Sequence, residues 1–132
     1  MIHDRHFTVA EANALLPRVE PMIRSLRAAR DQLTDSELHE ALADAAPANG
    51  GGDPGRQVGE AFLAVRSLLA ELQSLGLVIR DLDRGLLDFP AIIEGREAYL
   101  CWELGEDEIE FWHDLEAGYG GRRPLGDSGE GL

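Results

Sequence analysis

The segment His113-Asp114-Leu115-Glu116 offers the residue types best suited to chemistry in this chain. It places an imidazole beside two carboxylates, and such groups are ligands for divalent iron, manganese or zinc. His113 shares its strand parity with Ile109 and Phe111, so its imidazole is expected to be buried and to need hydrogen-bonding partners. A metal site is one interpretation of this segment. The other is a core histidine hydrogen-bonded to a neighbouring carboxylate.

Three carboxylates earlier in the chain could complete such a site. They fall on a short turn and on the strand after it, and the full candidate set of metal ligands is His113, Asp114, Glu116, Asp81, Asp83 and Asp88. The stretch Asp81–Gly85 lacks the other ligands of an EF-hand loop, which excludes that class of calcium site. The alternative for this stretch is a turn in which aspartate caps backbone amides and Arg84 pairs with a neighbour.

A second candidate site uses aromatic residues and an arginine near the end of the chain. Trp102, Trp112 and Tyr119 could line a pocket for a small ligand, and Arg122 could clamp an anionic group bidentately. The alternative is that these aromatics form the sheet's core or an interface. Arg122 and Arg123 would then form salt bridges with the acidic segment nearby.

Cys101 is the single cysteine, which excludes an internal disulfide and any zinc knuckle built from several cysteines. A nucleophilic cysteine needs a base or a positive field to form the thiolate. Antiparallel pairing places Cys101 opposite Ile109 or Phe111 and leaves His113 nearer the start of the preceding strand. The sequence therefore favours a buried structural thiol over a nucleophile.

The elements that position these residues begin with helices. Thr8 and Glu11 form a Thr-x-x-Glu capping box, so a helix is expected to start just after Thr8. Pro17 and Pro21 lack the amide hydrogen that a helix interior uses. They predict a short helix to Leu16 with a second helix from Pro17, or else one kinked helix.

Heptad spacing predicts an antiparallel helical hairpin. The apolar positions are Leu15, Val19, Met22, Leu26, Ala29 and Leu33, followed by Val58, Phe62, Val65, Leu69 and Leu72. The second helix is expected from about Arg56 to Leu75, with Gly76 as its left-handed cap. Because an apolar stripe must be buried, the hairpin is expected to pack on a sheet and to drive dimerisation.

After Gly76 the apolar residues recur at every second position. The expected strands are Leu77–Arg80, Leu86–Ile93, Arg96–Leu104 and Glu108–His113. Glu94-Gly95 is a two-residue hairpin turn, and Pro90 predicts an edge position or a bulge. The predicted fold is α+β, with the hairpin packed on one face of a four-stranded antiparallel meander.

We expect a single domain over residues 1–125. Its parts are the hairpin at 8–75 with a flexible loop at 47–55, the meander at 77–113 and an irregular segment at 114–125, before a disordered tail at 126–132.

Charge and composition exclude several classes of function. The chain has 25 acidic and 12 basic residues, and every basic residue is arginine. The resulting net charge of −13 disfavours nucleic acid and anionic lipid as partners. The sequence has no apolar run long enough to span a bilayer and no export signal, so a cytoplasmic location is expected. A basic patch at residues 18–30 and an acidic segment at 94–116 are two solvated faces or else meet each other.

Three stretches carry a resemblance to a known family: Phe7–Pro17, Asp81–Ala91 and Gly95–Leu125. Together they resemble the bacterial family catalogued as domain of unknown function 2203, over essentially the whole chain except the loop and the tail. The resemblance implies a small soluble bacterial protein. It supplies no activity, substrate or catalytic residues.

Two functional hypotheses follow. In the first, the protein binds a divalent metal or a small ligand around the His-Asp-Leu-Glu segment. In the second, it is a non-catalytic homo-oligomeric module that binds protein partners, with the hairpin as the dimer interface.

Overall fold

The computed structural model describes residues 1–43 and 56–128, which form an α+β fold. The helices α1, α2 and α3 span Val9–Arg30, Asp35–Leu42 and Arg56–Ser74, and a short α4 spans Leu125–Ser128. The strands β1 to β5 span Val78–Asp81, Leu86–Ile93, Arg96–Glu103, Phe111–Asp114 and Arg123–Pro124. The predicted loop at 47–55 lies outside the described residues, as do residues 129–132 of the predicted tail.

The first helix begins at the predicted capping box. The Glu11 amide donates to Thr8 Oγ1 at 3.1 Å, and the Thr8 amide donates to Glu11 Oε1 at 2.9 Å. The helix then continues through Pro17 and Pro21, so the expected end at Leu16 is wrong and the single helix given as the alternative is present. Both prolines lie on the exposed side of α1, where water can satisfy the carbonyl oxygens that lose their amide donors.

The two long helices are in contact, and Arg18 on α1 donates to Glu71 in the last turn of α3 at 3.1 Å. They do not form the simple hairpin that was expected, because α2 lies between them in the chain and packs against α3. A second capping box starts α2, with reciprocal hydrogen bonds between Thr34 and Glu37. This Thr-x-x-Glu signature is visible in the sequence and was overlooked there.

Gly76 ends the helical half of the fold. Its φ of +93° allows the Leu77 amide to donate back to the Leu72 carbonyl at 3.3 Å, as in a Schellman cap. The chain then enters an antiparallel sheet with the strand order β1-β2-β3-β4-β5. In the described part of the chain, no helix is long and apolar enough to cross a membrane.

The sheet has five strands among the described residues, one more than expected. The two-residue β5 pairs with β4, and periodicity cannot detect so short a strand. The strand β4 starts at Phe111 and not at Glu108, and the Ile109 amide donates to Asn13 Oδ1 on α1 at 2.7 Å. Pro90 lies on the interior strand β2 and pairs with Tyr99 of β3, so the strand is not the predicted edge strand. It lies beyond the residues that pair with β1, and its carbonyl accepts from the Phe7 amide at 2.7 Å.

The basic patch on α1 does not meet the acidic segment. Its ion pairs within the described residues join Arg18 to Glu71, Arg24 to Glu20, and Arg30 to Asp31 and Asp83. These ion pairs use carboxylates outside the acidic segment, so the two charged regions do not pair with each other within one chain.

Strand alternation gives the sheet two different faces. The helix face carries Leu87, Phe89, Leu100, Trp102 and Trp112, which join the apolar core formed with the helices. The opposite face, here called the polar face, carries Asp88, Tyr99, Cys101, Phe111 and His113.

Candidate metal centre

Three potential ligands meet at the centre of the polar face. One ligand atom each from Asp88, Cys101 and His113 lies within 4.8 Å of the others. Strand register brings them together: Asp88 pairs with Cys101 across β2 and β3, and Cys101 pairs with Phe111, two residues before His113. The three residues are only 0%, 1% and 2% exposed, so the cluster is closed to solvent.

Both ring nitrogens of His113 face oxygen atoms. Nδ1 lies 2.7 Å from the Asp114 carbonyl oxygen, and Nε2 lies 3.0 Å from Asp88 Oδ1. A carbonyl and an ionised carboxylate can only accept hydrogen bonds. A doubly protonated His113 would satisfy both oxygen atoms, with one ring proton directed at each.

The environment of His113 favours the charged imidazolium. Burial opposes the charge and lowers the pKa of His113, but the hydrogen bonds to Asp88 and to the Asp114 backbone outweigh burial and raise that pKa overall. The sequence offered a core histidine bonded to a carboxylate as one interpretation. That hydrogen bond is present, and its acceptor is Asp88.

Arg80 occupies the second oxygen of Asp88. Its Nε donates to Oδ2 at 2.6 Å, and its guanidinium lies 4.8 Å from the centre of the Tyr99 ring. Asp88 therefore lies between two cationic donors, which offsets the cost of burying its charge. The Arg80 side chain is 40% exposed, so one of these donors can move into solvent.

The Cys101 thiol is protonated at neutral pH. Burial raises the pKa of Cys101 to about 12, the nearby Asp88 carboxylate adds to this, and the Arg122 charge partly opposes it. The expected register is confirmed, since Cys101 pairs with Phe111, and Tyr99 pairs with His113. As a free thiol Cys101 is inert, but a metal ion that displaced its proton would gain a thiolate ligand.

One family model matches nearly the whole sequence. The model of the family described as "Uncharacterized conserved protein (DUF2203)" matches residues 5–125 of the 132-residue chain. The chain belongs to this family. No curated protein and no solved structure matches it.

In this DUF2203 chain, two of the six predicted ligands, His113 and Asp88, come together. Asp81 Oδ1 accepts from the Arg84 amide at 3.2 Å, which is the capped turn given as the alternative, and the Asp83 carboxylate pairs with Arg30. The other two also lie outside the cluster. The Asp114 carboxylate pairs with Arg96 and Arg123, and Glu116 is exposed.

The four predicted ligand-binding residues lie on opposite faces of the sheet. Trp102 and Trp112 are buried on the helix face, while Arg122 lies over Phe111 on the polar face, with Tyr119 beside it. Arg122 donates to Glu106 at 2.6 Å, so the salt bridge to the acidic segment is present.

Cys101 is the member of the cluster that the sequence did not assign as a ligand. The sequence contains the information needed to pair Cys101 with Asp88, because a two-residue turn at Glu94-Gly95 fixes the register of the strands on either side. Both turn residues have positive φ, +53° and +78°. Counting back from this turn places Asp88 directly opposite Cys101.

Proposed function

We propose that this protein binds one divalent transition metal ion through the Asp88 carboxylate, the Cys101 thiolate and the His113 imidazole. The observation that supports this most directly is the convergence of three chemically different ligand atoms within 4.8 Å. Ligand atoms around a tetrahedral zinc lie roughly 3.3–3.8 Å apart, given metal–ligand bonds of about 2.0–2.3 Å. The side chains therefore need to approach one another by at most about 1.5 Å.

The donor set favours zinc or ferrous iron. A thiolate is a soft ligand that manganese binds poorly, whereas zinc and iron accept sulfur, nitrogen and oxygen together. The contact between Nδ1 and the Asp114 carbonyl fixes the tautomer that directs Nε2 toward the metal, as outer-shell partners of ligating histidines do. A reduced thiol ligand also fits the cytosol as the location.

Metal binding displaces protons and one ion pair. The thiol proton of Cys101 and the Nε2 proton of His113 must leave, and an oxygen of Asp88 must be freed from its present donors. Because Arg80 is partly exposed, its guanidinium can move into solvent. Three protein ligands then leave a fourth position, where the ion would supply Lewis acidity to a bound water or ligand.

The test is metal analysis of protein purified without an affinity tag, followed by titration of the metal-free protein with zinc. We expect about one ion per chain, with binding lost in Cys101→Ser and in Asp88→Asn. Asp83→Asn is the matched control, because this carboxylate lies outside the cluster. Absence of zinc binding by correctly folded wild-type protein, or equal binding by Cys101→Ser, would contradict the proposal.

Self-association through the helices is a second candidate function. Leu63 on α3 and Leu42 on α2 are large apolar side chains that are 57% and 46% exposed, and a second copy of the chain would bury them. Light scattering tests this: we expect a dimer that Leu63→Glu dissociates. A wild-type monomer at about 50 μM, a concentration at which a homodimer with a Kd in the low micromolar range is mostly formed, would contradict it.

A further inference from the structure

A glycine-rich segment near the end of the chain covers part of the polar face. This segment, Gly118–Arg122, is called the flap. Two guanidinium groups lie against the Tyr119 ring, with Arg84 at 3.9 Å and Arg122 at 4.7 Å from the ring centre. Arg122 also lies 4.0 Å from the centre of the Phe111 ring, so a stack of cations and aromatic rings holds the flap on the sheet.

Two glutamates form hydrogen bonds with members of this stack. Tyr119 donates its hydroxyl proton to Glu103 Oε1 at 3.2 Å, and Arg122 donates to Glu106 Oε2 at 2.6 Å. The Arg122 side chain is only 9% exposed, and in the described part of the chain its Nε has no hydrogen-bond partner. A buried donor without an acceptor weakens the closed position, because opening the flap returns that donor to water.

The flap lies directly beside the candidate metal centre. Phe111, beneath Arg122, is the strand partner of Cys101 and projects from the same face. Because the cluster is at most 2% exposed, a covering element must move before any solute can reach it.

The N-terminal segment covers another part of the polar face, but its attachment is stronger. On the polar face His3 contacts the Tyr99 hydroxyl at 2.7 Å. A few residues later the same segment is anchored in the core of the helix face, where Phe7 is 2% exposed and packs edge to face on Phe89. The flap has no buried apolar anchor of this kind: Tyr119 is 38% exposed, and glycine occupies three of its five positions. Segments with few buried apolar contacts open at lower free energy than the global fold.

We propose that the flap opens locally, without unfolding of the sheet, and is the entry route to the cluster of Asp88, Cys101 and His113. The inference concerns access to the cluster and holds whether or not a metal is the group that enters. It therefore stands or falls separately from the metal proposal.

The single cysteine provides a direct test, because Cys101 is the only thiol that can react. The rate of its reaction with the uncharged reagent dipyridyl disulfide is measured at fixed pH in metal-free protein. We expect Tyr119→Ala and Arg122→Ala each to react about tenfold faster than the wild type, because each removes part of the stack that holds the flap. Arg122 lowers the pKa of Cys101, so its removal alone would slow the chemistry, and a faster reaction reports opening.

Two controls separate local opening from other causes. His3→Ala cuts the contact of the N-terminal segment with Tyr99, and we expect its rate to stay within about twofold of the wild type. Urea titration gives the unfolding constant of each variant, and the gain in rate should exceed the gain in that constant. Unchanged rates in both flap variants, gains equal to the change in the unfolding constant, or acceleration only in His3→Ala would each overturn the inference.

Discussion

The two faces of the sheet are both buried, but different interactions stabilise the side chains on each. On the helix face, apolar side chains such as Phe89, Leu100 and Trp102 are removed from water by packing against helices. On the polar face, Asp88 and His113 are equally buried, but each depends on a specific charged or polar partner. Apolar burial tolerates many arrangements, whereas buried charge requires each partner. A buried charged network therefore costs more to form than apolar packing of the same sheet would.

The largest effect is expected on the helix face. Trp102→Ala removes a side chain that is 0% exposed and leaves a cavity between sheet and helices. We expect a loss of about 4 kcal/mol in the free energy of unfolding, from lost transfer energy and the cavity together. Urea titration measures it. A loss below about 1 kcal/mol would mean that the helices do not seal this face tightly.

The second effect tests the polar face. Asp88→Asn removes the negative charge between Arg80 and His113 and leaves two cationic donors without their counter-ion. We expect a loss of about 3 kcal/mol in the free energy of unfolding, as is typical when one member of a buried ion pair is removed. The same titration measures it. An unchanged or higher stability would show that the charged network is no part of what holds the sheet together.

The pH dependence of stability distinguishes the two faces further. The pKa of His113 is raised above its ordinary value of 6.5, so the folded state holds its proton more tightly than the unfolded chain. The resulting stabilisation is complete below about pH 6.5 and is lost as pH rises through the higher folded value. We expect the stability difference between wild type and His113→Gln to shrink over that range. Trp102→Ala should show no such trend. If the stability difference between wild type and His113→Gln instead grew with pH, His113 would be stabilising in its neutral form and not as the imidazolium.

The sequence predicted the α+β class because the change of apolar period at Gly76 reflects local geometry. The strand Leu86–Ile93 and the Glu94-Gly95 turn are confirmed, since side-chain alternation and positive φ are properties of neighbouring residues. The break at Pro17 was wrong, because the cost of proline in a helix depends on which side faces water. That exposure is set by tertiary packing.

The candidate site was predicted only in part. The pairing of His113 with Asp88 follows from their meeting on one face of the sheet, which strand parity anticipates. The roles of Asp83 and Asp114 could not be predicted, because both carboxylates are taken by arginines that are distant in sequence or on another strand. Cys101 was missed as a ligand since its register was considered only against the strand of His113 and not against Asp88, its partner across the Glu94-Gly95 turn.

Arg80 stabilises the buried Asp88 carboxylate but occupies an oxygen that a metal ion would need. It competes with a metal ion for Asp88, so Arg80→Gln should bind zinc about tenfold more tightly, while Asp88→Asn should lose binding. Competition titration with a chelator measures the affinity. Weaker zinc binding by a folded Arg80→Gln would show that Arg80 positions Asp88 for the metal and does not compete with it.

The smallest effect is expected at the carboxylate that looked like a ligand and is not in the cluster. The Asp83 side chain is 79% exposed, and it pairs with Arg30 across the surface between helix and turn. Such a pair gains little because water screens both charges, so Asp83→Asn should change the free energy of unfolding by less than about 0.5 kcal/mol. It should also leave zinc affinity unchanged. If Asp83→Asn instead had the same effect as Asp88→Asn in either measurement, the metal centre would include the turn that carries Asp83. The distinction between the closed cluster and the exposed turn would then be wrong.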